Sequence, residues 1–351
     1  MLVYLHIPYC DSKCHYCSFN SYVDKFDTRK AYMDALHKQL AFELERFEAK
    51  KGSIETLFIG GGTPSTVAPD LYAPIFALLK PYLQQDAEVT TEANPNSATK
   101  TWLEGMKKLG VNRVSFGVQS FDEQKLKALN RAHTPHQAKE AITHAHALGI
   151  EHISLDLIYN YRGDTKTLLH SDIAQAFELP IDHLSAYELT IEDGTKFTET
   201  PEVRQENESL AFFVADEIKK RGFEHYEISN FGRYQSRHNR GYWELKDYIG
   251  AGAGAVGFLK ARRFYPHTDI GAYISDPLQI SEEILSQEDL LTERLFLGLR
   301  SNIGIESTIL SAPMRTRAET LLAEHKLHRE GSRYFNKNYF LSDALALYIL
   351  G

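Results

Sequence analysis

The sequence predicts an α/β protein in which six β-strands alternate with helices over roughly residues 1–222. Short apolar runs of strand length recur along the chain, and segments with apolar residues spaced three and four apart lie between them. Composition agrees, because 43% hydrophobic and 25% charged residues are ordinary for a globular chain of 351 residues. The pattern predicts a parallel sheet with helices outside it, either curled into a partial barrel or open as a doubly wound sheet.

The predicted strands are apolar runs bounded by turn residues, and the first, Leu2–Ile7, is ended by Pro8. The other five are Ile54–Ile59, Ala87–Glu92, Val111–Val118, Ile150–Ile158 and Ile181–Leu189.

The predicted helices have an apolar stripe and, in several cases, a closing glycine. The first, Thr28–Glu48, aligns Met33, Leu36, Leu40 and Leu44 on one face and has Thr28 as its expected N-cap. The others are Leu71–Leu83, Lys100–Leu109, Asp122–Leu129, His136–Leu148, Thr165–Phe177 and Glu202–Arg221.

Beyond Tyr226 the alternation stops. The segment His238–Gly257 is rich in glycine and aromatic residues and is predicted to be a loop. Further elements are expected as helices over Gln287–Leu299, Thr316–His325 and Ser342–Leu350, and as a β-hairpin over Arg333–Phe340. We therefore expect a barrel-like domain over 1–225, a connecting segment over 226–284 and a small C-terminal α/β domain over 285–351.

The charge balance and the N-terminus narrow the function classes. With 39 Lys and Arg against 47 Asp and Glu, the net charge of −8 disfavours a general nucleic-acid binder. No run of 18 apolar residues is present, and the first residues lack the features of a signal peptide. A cytoplasmic location is the expectation.

The three cysteines of the chain, Cys10, Cys14 and Cys17, lie within eight residues of one another. An odd number rules out complete internal disulfide pairing. Thiolates bind soft metals and iron–sulfur clusters, and three of them can hold three irons of a [4Fe–4S] cluster while the fourth iron stays open. The alternative is a structural zinc site with His6 or His15 as fourth ligand, in a TIM-like hydrolase.

Polar residues follow the predicted strands at their carboxyl ends, where βα proteins place ligands. The triple glycine of Gly60–Pro64 is either a tight turn or a close backbone approach to a ligand, and we favour the ligand. Arg131 suits a carboxylate, and acidic groups suit an ammonium or ribose hydroxyls, which together predict a zwitterionic, hydroxylated ligand. The other residues at these ends are Glu92, Gln119, Asp156, Thr190 and Glu192.

The cysteine spacing, with Tyr16 before the last cysteine, resembles the radical S-adenosylmethionine (SAM) signature. Segments Tyr4–Cys10, Gly60–Pro64, Ser115–Gln119 and Asp156–Tyr159 are similar to the oxygen-independent coproporphyrinogen III oxidase family, and the likeness covers nearly the whole chain. The resemblance implies a partial (β/α)6 barrel, with a [4Fe–4S] cluster on Cys10, Cys14 and Cys17. The implied SAM contacts are Tyr4, Gly61, Gly62, Thr63, Glu92, Gln119, Arg131, Asp156 and Thr190.

Three features place the sequence nearer the haem-chaperone (HemW) type of this family than its oxidases. The oxidases have an extension ahead of the first strand, whereas this chain begins with that strand, and they have a fourth cysteine where Phe19 stands here. Residues 238–243 match the HNxxYW motif that the resemblance associates with haem. His238, Tyr242 and Trp243 would supply an imidazole and flat apolar walls, unless this is simply an aromatic loop packed on the barrel.

The resemblance thus implies a chaperone that binds haem, the cluster and SAM, and passes haem to an acceptor protein. Proximity to a membrane during transfer is compatible with this function, although the sequence predicts no anchor. The alternative is an enzyme of porphyrin biosynthesis, a coproporphyrinogen III dehydrogenase that converts two propionates to vinyls. The sequence favours the chaperone.

The chain departs from the family at two places. Asn160–Gly163 stands where Gly-Leu-Pro is expected near the SAM ribose, and Val256 stands where histidine is common. The glycine run Gly250–Gly257 superficially resembles a dinucleotide loop, but the residues after it begin a helix poorly, so NAD binding is rejected.

Overall fold

Six parallel strands form the centre of the fold. The computed structural model describes the whole chain, residues 1–351. Consecutive strands are hydrogen-bonded neighbours, so the sheet follows chain order, as the predicted βα units require. They are β1 (Leu2–Ile7), β2 (Ile54–Gly61), β3 (Leu83–Ala93), β4 (Arg113–Gln119), β5 (His152–Tyr159) and β6 (His183–Glu188).

The seven predicted helices between and after these strands are confirmed, with shifted ends. Thr28 does not cap the first helix, because its hydroxyl donates to the Lys25 carbonyl instead. The seventh helix begins six residues later than predicted, since Pro201–Val203 forms a separate short turn. They are α1 (Arg29–Arg46), α2 (Pro69–Leu79), α3 (Lys100–Leu109), α4 (Glu123–Ala128), α5 (Pro135–Ala147), α6 (Lys166–Phe177) and α7 (Glu208–Lys220).

The two faces of the central sheet differ in polarity. On β4, Val114, Phe116 and Val118 face the helices within the main apolar core. Arg113 and Ser115 alternate with them and face the opposite side. The same alternation recurs on β1, β3, β5 and β6, so the helices cover an apolar face and the six strands enclose a polar interior. This arrangement confirms the partial (β/α)6 barrel over the open doubly wound alternative.

Residues 224–284 extend this sheet at both edges, giving twelve strands in all. The predicted loop over His238–Gly257 was wrong, because it contains a helix and a strand that pairs in parallel with β1. Next to β6 lie β7 (Glu224–Glu227) and β8 (Asn230–Gly232). The remaining elements are α8 (Arg237–Trp243), β9 (Tyr248–Ala251), β10 (Gly257–Leu259), β11 (Arg262–Pro266), α9 (Ile270–Ser275) and β12 (Ile280–Ile284).

The C-terminal residues form a three-stranded sheet and three helices around a separate core of 11 buried residues. The predicted hairpin lies upstream of its expected position, since its strands flank the turn at Gly331. The elements are α10 (Gln287–Leu299), β13 (Ile305–Glu306), α11 (Ala312–Ala323), β14 (Leu327–Glu330), β15 (Arg333–Asn336) and α12 (Ser342–Leu350). None of the helices combines the length and apolar character needed to cross a bilayer.

Candidate functional site

The cysteine loop follows β1 at the carboxyl edge of the barrel. Cys10 is buried, and Cys14 and Cys17 are half-buried. The Thr63 hydroxyl donates to Cys10 Sγ at 3.4 Å, and Arg131 Nη1 donates to Cys14 Sγ at 3.2 Å. Burial raises the pKa of the Cys10 and Cys17 thiols, and neighbouring thiols add to the rise. No group of three or more His, Cys, Asp or Glu side chains is arranged closely enough to hold a metal ion. The donor set nevertheless suits an iron–sulfur cluster, because three thiols share one loop and two have donors directed at sulfur.

His6 is not available as a fourth zinc ligand beside these cysteines. Its Nε2 lies 2.8 Å from the Asn20 carbonyl and its Nδ1 lies 3.0 Å from the Tyr4 hydroxyl, so both ring nitrogens are occupied. The other candidate, His15, has Nδ1 at 3.1 Å from the Ala128 carbonyl. The contacts of His6 therefore disfavour it as the fourth zinc ligand, whereas only one ring nitrogen of His15 is occupied.

The triple glycine is required by close approach of protein groups. A Cβ on Gly61, where φ is +107°, would lie 2.5 Å from the His6 ring, and one on Gly62 would lie 2.8 Å from the Ile7 carbonyl. The Gly61 amide donates to Glu92 Oε2 at 3.1 Å, and the Gly62 amide donates to the Ile7 carbonyl at 2.8 Å. These amides already have protein acceptors, and Gly61, Gly62 and Thr63 stay predicted SAM contacts.

Two half-buried carboxyl groups face the interior beside this turn. Burial, with the nearby Asp156, raises the pKa of Glu92 to about 8. Burial likewise raises the pKa of Asp156 to about 6, although hydrogen bonds from Ser185 and Ser115 oppose the rise. A cationic group or a set of hydroxyls bound here would stabilise the ionised carboxylates, as predicted for an ammonium or a ribose.

Arg131 connects the cysteine loop to β3 and β4. Its Nη2 donates to Asn94 Oδ1 and to the Gly117 carbonyl, each at 2.6 Å, while Nη1 contacts Cys14. Asn94 in turn donates to the Thr63 hydroxyl at 3.1 Å. Asn94 is not among the residues predicted from the sequence, although its position two residues after Glu92 at a strand end was a usable signal.

Gln119 and Thr190 complete the predicted SAM set. Gln119 is buried and has φ of +70°, at a register shift between β4 and β5. Thr190 follows β6, and its side chain is exposed. The structure therefore places Arg131 against the cysteine loop and Glu92 against the triple glycine, with Asp156 near Glu92. Tyr4 contacts His6 on β1, and Thr190 is exposed after β6.

The His238 side chain lies in the barrel interior, and α8 holds it there. The helix begins at the Ser236 cap, and the side chain is 1% exposed. Its Nδ1 is 2.7 Å from Thr56 Oγ1, and its Nε2 is 2.9 Å from the Tyr242 hydroxyl. Burial, with the nearby Arg113, lowers the pKa of His238 to about 3. The ring is therefore neutral with both nitrogens occupied.

An apolar cleft opens beside Tyr242, between α8, the β9–β10 edge and α10. Arg263 lies at this cleft and pairs with Glu293. Trp243, predicted to share the site, instead lines a second cleft on the other side of α8 with Arg240 and the C-terminal residues. The main side chains of the first cleft are Tyr4, Tyr242, Tyr248, Phe258, Phe296 and Leu297.

Asn160, the first departure from the expected family sequence, adopts the left-handed backbone conformation that a glycine there would adopt. Asn160 has φ of +65°, in the left-handed region that asparagine tolerates best after glycine. Its side chain donates to Glu188 Oε1 at 3.1 Å.

The second departure, Val256, lies at the apolar cleft. The glycine run Gly250–Gly257 leads into the hairpin of β10 and β11 and not into a helix, in agreement with the rejection of NAD binding.

Comparison with known proteins gives a consistent result. The model of the "Radical SAM superfamily" matches residues 4–172. "Heme chaperone HemW" of Mycobacterium tuberculosis is 33% identical over 372 aligned residues, covering 99% of this chain and 94% of the relative. The Escherichia coli protein of the same name is 37% identical over 263 residues, covering 73% and 69%. The solved structure of E. coli coproporphyrinogen III oxidase HemN shares the fold, with a TM-score of 0.82 at 19% identity over 99% of this chain and 89% of that one.

Proposed function

Because the chain belongs to the radical SAM superfamily and, within it, to the family of the HemW haem chaperones, we propose that it binds haem and passes it to an acceptor protein. In this proposal the chain also binds a [4Fe–4S] cluster and SAM. The same residues that suggested the family from sequence, the cysteine loop and the HNRGYW segment, support the proposal.

The observation on which the proposal depends is the position of Tyr242. Its ring lines the apolar cleft while its hydroxyl is hydrogen-bonded to the buried His238. Aromatic and aliphatic walls suit the flat face of a porphyrin, and a propionate would bind Arg263 by displacing its ion-pair partner Glu293. The cleft therefore combines the two kinds of surface that haem presents.

His238 positions Tyr242 in this proposal and does not ligate the iron. Both ring nitrogens are engaged inside the protein, with Thr56 and Tyr242. Coordination of iron would break one of these hydrogen bonds and leave a buried hydroxyl without its partner. An axial ligand from elsewhere fits the arrangement better.

Cys10, Cys14 and Cys17 would hold the cluster, which with SAM supplies one-electron chemistry when reduced. Arg131 and Thr63 would donate to two of the coordinating sulfurs and tune their electron density. Glu92 and Asp156 would bind the ammonium and ribose of SAM. The half-buried walls around them would limit the access of water.

An anaerobic haem titration of the cluster-reconstituted protein, followed through the Soret band, tests the proposal. Saturation near one haem per chain, and then loss of the band to a haem-free acceptor, is the expected result. No specific binding by protein with an intact cluster would contradict it. Turnover of coproporphyrinogen with SAM and a reductant would then favour the dehydrogenase alternative.

A further inference from the structure

A buried arginine inside the barrel has no protein partner. Arg113 opens β4 on its interior face and is 2% exposed. Its Nε atom is buried without a hydrogen-bond partner, and no carboxylate lies within ion-pair distance of the guanidinium. Arginine stays protonated inside proteins, so this charge cannot be removed by loss of a proton. A buried unpaired charge is costly, which makes the position unusual.

The neighbouring side chain on β3 is also unsatisfied. Thr90 is the register partner of Arg113, is fully buried, and has a hydroxyl without a hydrogen-bond partner. A hydroxyl donor and a guanidinium lie side by side on one face, and both lack acceptors. Adjacent donors of this kind match an anion with two oxygens.

The acidic groups of the interior are already engaged. Glu88 accepts from the Tyr234 hydroxyl at 2.7 Å and from two backbone amides at the start of α8. Glu92 accepts from the Gly61 amide, and Asp156 accepts from Ser115. Burial raises the pKa of Glu92 and the charge of Arg113 opposes that rise, but the two side chains form no ion pair.

The same row of residues extends towards the apolar cleft. Tyr4, Phe58, Thr90 and Arg113 are successive register partners on β1 to β4. Three strand spacings separate the ends of the row, or roughly 14 Å. Tyr4 also lines the cleft beside Tyr242. The row therefore runs from the proposed haem cleft to the unpaired guanidinium.

We propose that Arg113, with Thr90, binds a carboxylate of a ligand that enters the barrel. The inference rests on the proposed function, which supplies two sources for this chemistry. One is a propionate of a haem whose edge enters the barrel beside Tyr4, since a propionate alone is shorter than the row. The other is the carboxylate of SAM bound beside Glu92.

Binding measurements on Arg113→Gln separate the two sources. If a propionate is held, the variant loses at least about tenfold in haem affinity, as expected for one charge-assisted contact, and keeps its affinity for haem dimethyl ester. If the SAM carboxylate is held, SAM affinity falls by a similar factor and haem affinity does not change. Thr90→Val should weaken the same ligand by a smaller factor.

Two matched variants serve as controls. Arg233→Gln removes a guanidinium that lies over the Phe223 ring, and Thr91→Val removes a hydroxyl on the helix side of β3. Neither should change binding of haem or SAM. Circular dichroism and the dimethyl ester titration report whether Arg113→Gln remains folded.

Unchanged affinity of folded Arg113→Gln for both haem and SAM would overturn the inference. Wild-type protein that binds no haem would contradict the proposed function instead, and the SAM titration would still decide the role of Arg113.

Discussion

The Nε2 atom of His238 lies 2.9 Å from the hydroxyl oxygen of Tyr242, four residues later on the same short helix. The contact joins the polar interior of the barrel to the apolar cleft. Tyr242 is the half-buried end of a chain of hydrogen bonds that continues through His238 to Thr56. The HNRGYW segment therefore contributes to the cleft through its tyrosine, and its histidine lies behind.

Substitution His238→Ala should weaken haem binding about tenfold or more without changing the coordination spectrum of the haem that still binds. The reason is that Tyr242 loses its hydrogen-bond partner while the axial ligand is retained. Soret titration and the position of the Soret maximum check both expectations. His136→Ala is the control, because that side chain is 87% exposed. A shifted Soret maximum in the His238 variant would instead make His238 an iron ligand.

Each of the single variants Cys10→Ser, Cys14→Ser and Cys17→Ser should abolish the iron–sulfur absorption of the reconstituted protein. Every thiol is needed, because the loop contains all three cysteines of the chain. Ser18→Ala, in the same loop, should keep both the absorption and the iron content. An intact spectrum in any cysteine variant would remove that residue from the ligand set.

The contribution of Glu92 to the stability of the cofactor-free protein should fall as pH rises from about 4.5 to about 8. The pKa of Glu92 is raised from 4.5 to about 8 by burial, so the folded state binds a proton that the unfolded state releases. Each unit of that rise corresponds to about 1.4 kcal/mol. The stabilisation is present below pH 4.5 and lost as pH passes 8. In urea unfolding across this range, the free energy of unfolding of wild type minus that of Glu92→Gln should decrease as pH rises, and a difference that stays constant would contradict the assignment.

Asp164→Asn should reduce the free energy of unfolding by about 3–5 kcal/mol. Asp164 and Lys125 form an ion pair of 2.6 Å whose side chains are 0% and 1% exposed, so the variant leaves a buried unpaired lysine. Asp34→Asn, in a surface pair, should change stability by less than about 1 kcal/mol. Urea denaturation compares the two, and equal small losses would show that the buried pair has little effect on stability.

The six βα units were predictable because their apolar periodicity persists through whole elements. Lys100–Leu109 has the bounds predicted, since Thr99 caps it and Gly110 ends it in a left-handed conformation. The short helix α8 was not predictable in the same way. Seven residues containing a glycine have little helical tendency, and contacts of His238 and Gly241 with β2 and β1 hold them in place.

The candidate site was predictable in part for a related reason. Strand ends locate Glu92, Gln119 and Asp156, because parallel strands bring their carboxyl ends to one edge. Asn94 could have been predicted from its position at a strand end, whereas Arg113 opens a strand and reads as an ordinary polar residue until the chain folds. Their significance comes from the groups that surround them or, for Arg113, from the lack of a partner.

The most direct test of the haem-binding cleft is the haem affinity of Val256→Trp in cluster-reconstituted protein. Val256 lines the cleft, so an indole there should occupy the space proposed for haem. Ile284→Trp, at a side chain 71% exposed on an edge strand, is the control. We predict that Val256→Trp loses saturable haem binding and keeps the iron–sulfur absorption, while the control behaves as wild type. Wild-type haem affinity in folded Val256→Trp would contradict the account.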